Sequence, residues 1–271
     1  MEQTVTLLGI PWDEQSSFLK GCAAGPREIR RALHCDSSNT FAESEIDILH
    51  HSGLVDRGDL TLSEAKCPIS QIETAVLREL ELGRKVLSLG GDHAVSWPIL
   101  KAYTRVFPNL NILHLDAHPD LYDQLDGNRN SHACPFARIM ETRKVGRLVQ
   151  VGIRTMNFHQ RQQADRFGVE VMPMNQVDCT RPIRLDGPVY LSLDLDVLDP
   201  AFAPGVSHHE PGGMSTRELL SIIQGLNCEL VGADIVELNP ARDVNGVTAR
   251  VAAKLVKETL AVLLKKPTDA A

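Results

Sequence analysis

The sequence predicts an α/β fold of three layers, α/β/α, with a mostly parallel sheet, and three observations carry that prediction. Short apolar runs of strand length alternate with stretches whose apolar residues recur at helical spacing, the pattern of successive βα units. A length of 271 residues, 43% hydrophobic and 23% charged, suits one large core and a single domain over 1–271. Three of the apolar runs end in aspartates and histidines, and in open α/β sheets ligands collect at the carboxyl ends of the strands.

Taken in order, residues 4–8 read as a strand, 9–20 as a loop, and 25–33 as a helix with Pro26 in its first turn, where a missing N–H does no harm. Residues 46–50 read as a second strand. Residues 69–82 carry apolar positions at helical spacing, with Gly83 as terminator, and feed a strand at 86–89. A helix over 96–107 and a strand over 112–118 follow. Residues 119–133 are polar and turn-rich, a loop above the strand ends. Strands are expected at 148–153, 169–171 and 189–195, with a helix over 158–167 between the first two. After a glycine- and proline-rich loop at 201–213 comes a helix over 215–226, capped by Ser215 with Glu218 at the capping-box position. A strand at 231–236 and a helix over 248–264 complete the chain.

Composition removes several classes of function. The net charge of −7 and pI near 5.8 argue against nucleic-acid or anionic-membrane partners, which are bound through a surplus of Lys and Arg. Cys22, Cys35, Cys67, Cys134, Cys179 and Cys228 show no paired spacing and read as free thiols in a reducing compartment. No leader opens the chain, and no apolar run approaches the ~18 residues of a membrane span. The expectation is a cytoplasmic protein, or one whose targeting segment has been removed.

The chemistry lies in three blocks. In the run 190–200, Asp194 and Asp196 are two apart, so in an extended strand they share a side of an otherwise apolar segment. Adjacent carboxylates there need cations, because an unpaired buried charge costs several kcal/mol. In 112–120, Asp116, His118 and Asp120 repeat the spacing, and 86–93 ends in Gly90, Gly91, Asp92 and His93. Four carboxylates and two imidazoles exceed the needs of one transition ion but suffice for two that share carboxylates. The mixture favours two Mn²⁺ per chain, with Ni²⁺ or Co²⁺ as alternatives. Two divalent ions cancel the four carboxylates, so a cationic substrate is tolerated. No arginine clamp or glycine-rich phosphate cradle is evident, and hydrolysis of an amidine, guanidine or amide fits better.

Gly-Gly-Asp-His at 90–93, Asp-Ala-His-Pro-Asp at 116–120 and Ser-Leu-Asp-Leu-Asp-Val-Leu-Asp-Pro at 192–200 resemble, in order and spacing, the signature blocks of the arginase/agmatinase (ureohydrolase) family. Gly232-Ala-Asp-Ile-Val-Glu-Leu-Asn-Pro240 resembles its last block, so the likeness spans nearly the whole chain. The resemblance implies a binuclear Mn²⁺ centre, urea as a product, a small cationic guanidino substrate and a homo-oligomer, trimer or hexamer. It implies His93, Asp116, His118, Asp120, Asp194 and Asp196 as metal ligands, Asp120 also counting among the catalytic groups. Glu237 matches the carboxylate that holds the guanidinium, and His132 the histidine that moves protons. The implied chemistry is attack of a metal-activated hydroxide on the guanidinium carbon, with His132 protonating the leaving amine.

Within the family, segments 16–19, 120–123, 131–133 with 136–139, and 202–208 with 210–213 look most like plant-type arginases. Thr155 and Asn157 stand where animal-type arginases have aspartates, Tyr122 where they have asparagine. His209, Cys134 and Pro135 depart from the plant-type pattern. Asn128, Tyr122, Thr155, Asn157 and His208 are the candidates for the substrate's far end. L-Arginine leads as substrate, with agmatine, 4-guanidinobutyrate or a formimino compound as alternatives, and a non-catalytic metal-binding protein as the remaining reading. His114 is read as pointing away from His118 and packed structurally, Cys134 as a buried filler, and Asp92 and Asp123 as supports for neighbouring ligands.

Overall fold

The computed structural model describes residues 3–265. Its elements alternate as β1 (Val5–Ile10), α1 (Gly25–Leu33), β2 (Leu54–Asp59), α2 (Pro68–Glu81), β3 (Lys85–Gly90), α3 (Ser96–Val106), β4 (Leu110–Leu115) and α4 (Pro135–Glu141). They continue as β5 (Val145–Ile153), α5 (Phe158–Phe167), β6 (Glu170–Pro173), β7 (Pro188–Asp194), α6 (Thr216–Gln224), β8 (Glu229–Val236) and α7 (Val247–Leu264). The strands form one eight-stranded sheet in the order β2-β1-β3-β8-β7-β4-β5-β6. Every pairing is parallel.

The sheet is covered on both faces, and so its inner strands read as continuous apolar runs. On one face Ile29 and Leu33 of α1, Leu219 and Ile223 of α6 and Leu255 and Leu260 of α7 pack with alternate residues of the strands. On the other lie Ile72 and Val76 of α2, Ile99 and Tyr103 of α3, Phe136 of α4 and Ala164 of α5. Helix α6 has the predicted capping box, the Ser215 hydroxyl accepting from Glu218 N and Glu218 accepting from Ser215 N. Among the described residues no helix is long and apolar enough to cross a membrane.

Three sequence expectations need correction, and one helix was not foreseen. The second strand is 54–59, not 46–50; the latter segment is turn, anchored by the buried Ile48. β2 is an edge strand with charged side chains, Asp56 and Asp59, paired to Arg30 of α1, so no apolar pattern announces it. α4 went unforeseen, being only two turns long. β4 ends at Leu115, so Asp116, His118 and Asp120 stand on the loop beyond it rather than along one strand face. Asp194 closes β7 while Asp196 lies in a 3₁₀ turn, and the Asp194 carboxylate accepts from Asp196 N at 2.8 Å. The carboxylates converge because the chain turns, not through strand alternation.

The four central strands are β3, β8, β7 and β4, and β3 and β4, consecutive in the chain, are separated by the other two. Their carboxyl ends meet in one crevice, the usual ligand position of such sheets. A close approach of backbone there explains Gly91, where a Cβ would stand 1.9 Å from the Trp12 carbonyl oxygen. Asp120 and Glu237 have left-handed backbone, φ 47° and 67°, a strained conformation that side chains other than glycine adopt where the surroundings impose it.

Candidate metal centre

All six predicted ligands meet in this crevice. His93 Nδ1 stands 3.1 Å from one carboxylate oxygen each of Asp116, Asp120 and Asp194. His118 Nδ1 stands 2.9 Å from Asp196 Oδ2 and 3.5 Å from Asp116 Oδ1. Asp116 therefore turns Oδ2 toward the His93 group and Oδ1 toward the His118 group. Two donor clusters sharing one carboxylate can hold two ions.

The donors fit metal on the behaviour of a single buried atom. His93 Nε2 lies 3.0 Å from Ser192 Oγ, and that hydroxyl donates to Asp234 at 2.7 Å. A carboxylate only accepts, so the Ser192 oxygen takes its bond from the Nε2–H of His93. Nδ1 is left buried and without a hydrogen bond, facing three carboxylates. Burial disfavours a charged ring, yet Asp116, Asp120 and Asp194 raise the His93 pKa well above its ordinary value. Burial, followed by the charges of Asp196 and Asp116, pushes the Asp194 carboxyl well up. The crevice calls for positive charge at the point where these atoms converge.

Beside the ligands lies a second polar group. Glu237 Oε1 accepts from His93 N at 2.9 Å and from His132 Nδ1 at 2.9 Å, while Oε2 takes the Cys22 thiol at 3.2 Å. Burial opposes the charge on Glu237, but the hydrogen bond and charge of His132 hold its pKa down to about 2. Burial likewise opposes a charged His132, and Glu237 lifts it to about 9. His132 Nε2 faces Ser17 Oγ at 2.8 Å. Asp92, pushed up to about 7 by burial and the Glu237 charge, caps the 3₁₀ turn that carries His93 by accepting from Ala94 N.

A cavity of about 230 Å³ opens over the cluster, with Ser17, Tyr122, His132, Thr155, Asn157 and His208 in its walls. Among the described residues no lysine or arginine lines it. The tail candidates separate here. His208 leans toward His132 with ring centroids 5.1 Å apart, and Thr155 lies in the wall. Asn157 also lines the cavity, but it caps α5, accepting from Gln160 N and donating one N–H to Tyr122 Oη at 2.6 Å. Asn128 is outside the lining; its side chain bonds Gln15 and Asn130 N in the loop above. Asp123 supports no ligand, being paired with Arg129 and Arg138. Cys134 is fully buried, as read. His114 does not point away from the cluster: its Nε2 lies 2.7 Å from Asp116 Oδ2.

Sequence reasoning gave no role to Ser17, Cys22, Ser192 or Asp234. Ser192 and Asp234 sit inside the quoted blocks, and their register across β7 and β8 pairs them directly. Cys22 has no signal of its own, since only the loop ahead of α1 brings it to Glu237.

Comparison with known proteins follows the same lines. The Arginase family profile matches residues 3–261. The "Arginase 1, mitochondrial" of Arabidopsis thaliana is 45% identical over 97% of this chain and 82% of its own. The solved structure of the arginase from Medicago truncatula superposes with a TM-score of 0.89 at 40% identity, covering 97% of this chain and 88% of that one. The agmatinase of Bacillus anthracis is 33% identical over 96% of this chain and 91% of its own. The cytoplasmic expectation is overturned by the plant relatives, which are named mitochondrial or chloroplastic/mitochondrial and point to an organelle. The two-cluster crevice at the central strand ends, the arginase-like fold and the near full-length match agree: this chain belongs to the arginase family.

Proposed function

We propose that the chain hydrolyses L-arginine to L-ornithine and urea. The observation that carries this reading is the buried Glu237, hydrogen-bonded to His132 beside a paired donor cluster, in a cavity whose described wall holds no lysine or arginine. Such a wall favours a planar cation, and similarity to plant arginases supports arginine as its bearer.

His93, Asp116, Asp120 and Asp194 would hold one ion, and His118, Asp196 and the second Asp116 oxygen the other. The two imidazoles favour a transition ion over Mg²⁺, and Mn²⁺ suits a carboxylate-rich set without thiolates. When bound, such a pair acidifies a water and stabilises the charge that develops as it attacks. Glu237 Oε2, engaged only by a weak thiol donor, keeps capacity to accept from the guanidinium and to orient its carbon toward the cluster. His132 holds a proton at neutral pH, and because Nδ1–H is directed to Glu237, the proton it can deliver to the leaving amine is the one on Nε2.

A second reading, agmatine or another guanidino compound without the α-carboxylate, is favoured by the absence of lysine or arginine from the described cavity wall. Urea release from L-arginine, agmatine, 4-guanidinobutyrate and a formimino compound decides between them. The highest kcat/KM is expected for L-arginine, and a higher value for any of the others would displace it. We also infer a single domain over 1–271 and a homo-oligomer, the latter testable by sedimentation.

A further inference from the structure

His114 on β4 and Gln150 on β5 are wholly buried, face each other in register, and lie outside the cavity wall. The Gln150 amide nitrogen stands 2.6 Å from the Pro119 carbonyl oxygen and 3.0 Å from His114 Nδ1. A peptide carbonyl only accepts, so the atom facing it is the NH₂, and chemistry settles the orientation of the amide. The same NH₂ donates to His114 Nδ1, which therefore carries the lone pair. The ring proton sits on Nε2 and donates to Asp116 Oδ2 at 2.7 Å. The other oxygen of Asp116 accepts from His118 N at 2.5 Å. Each oxygen of the shared carboxylate thus has its own N–H donor. The His114 ring is clamped against Phe136, with centroids 3.8 Å apart.

We propose that Gln150 is a positioning residue of the metal centre: by holding His114 in the Nε2–H form, it fixes the carboxylate of Asp116 so that its two oxygens serve the two ion positions. The proposal rests on the two-ion reading above. A purely space-filling role does not account for the amide, because Gln150 Oε1 is buried without a partner. An unmet acceptor costs stability that leucine or methionine at the same position would not forfeit. What the amide provides that an apolar side chain cannot is the NH₂, which donates to the Pro119 carbonyl and to His114 Nδ1 and so selects the tautomer.

The test compares Mn²⁺ binding by the wild-type chain, Gln150→Leu, His114→Phe and the double variant, using a competing chelator. Thermal unfolding of each metal-free protein is measured alongside. Either single variant is expected to bind Mn²⁺ about 10- to 100-fold more weakly, the usual consequence of losing a partner of a metal ligand. Gln150 acts through His114, so the double variant binds no more weakly than His114→Phe alone. Unchanged affinity in Gln150→Leu, or losses that multiply in the double variant, would overturn the proposal. A purely structural role lowers the metal-free Tm and leaves affinity intact, which also overturns it. If Gln150→Leu does not fold, ¹⁵N NMR of the wild-type metal-free protein decides: a neutral His114 protonated on Nε2 is required, and an Nδ1–H ring refutes it. A wild-type chain that fails to take up two ions sinks the two-ion reading instead, so the two failures are distinguishable.

Discussion

His132 Nδ1 donates to Glu237 Oε1 at 2.9 Å, and each of the two residues keeps the other charged inside a wall that otherwise disfavours charge. One side chain can receive a guanidinium and the other can give up a proton, and neither can be altered without disturbing its partner.

His132→Asn should therefore retain its metal and lose roughly 10²- to 10⁴-fold in kcat, the usual contribution of a positioned acid or base. Metal content measured beside kcat checks this, and wild-type turnover in the variant would remove His132 from the reaction.

The same pair predicts a pH profile. His132 is lifted to about 9, so it is protonated at neutral pH and loses its proton as the pH rises through that value. If proton delivery limits turnover, the wild-type rate declines there, and His132→Asn lacks this alkaline limb. An identical limb in both proteins assigns the titration to another group.

Sharing of Asp116 between the clusters makes the ligands unequal. Asp116→Ala should lose both ions, whereas Asp196→Ala touches only the His118 group and should leave one. Metal-to-protein ratios after dialysis test the difference, and equal losses would argue against the shared carboxylate.

Lys85 provides a prediction away from the site. Burial lowers its pKa from 10.5 to about 8, opposed by Glu229, and its ammonium bonds the Leu263 carbonyl. Because the folded pKa lies below the unfolded one, the unfolded chain binds more protons between these values, and stability gains from Lys85 as pH rises from about 8 to 10.5. Lys85→Met should remove that gain and raise the neutral-pH Tm by roughly 2–4 °C. A lower Tm in the variant would mean that the bond to Leu263 outweighs the burial.

The sequence carried the alternation of strands and helices, because a sheet covered on both faces must be built from continuous apolar runs such as 86–89 and 189–194. It could not place β2, whose Asp56 and Asp59 are held by an arginine from another element. The six candidate ligands could be picked out because the blocks around His93, Asp116 and Asp194 lie at strand ends. Their reason for converging could not be, since Asp116 and Asp196 reach the cluster through turns beyond the strands. Cys22, Ser17 and Gln150 acquire meaning only from partners more than 30 residues away. The engagement of Asn157 by its own helix cap and by Tyr122 likewise emerges only from the fold.

The most direct test of the account is urea and ornithine release from L-arginine by the Mn²⁺-loaded chain, with Asp116→Ala and Glu237→Gln measured beside it. The account predicts equimolar urea and ornithine from the wild-type protein, none above background from Asp116→Ala, and a strongly reduced kcat/KM for Glu237→Gln. Urea release that persists in Asp116→Ala, or a metal-loaded wild-type chain that releases none from L-arginine, would contradict it.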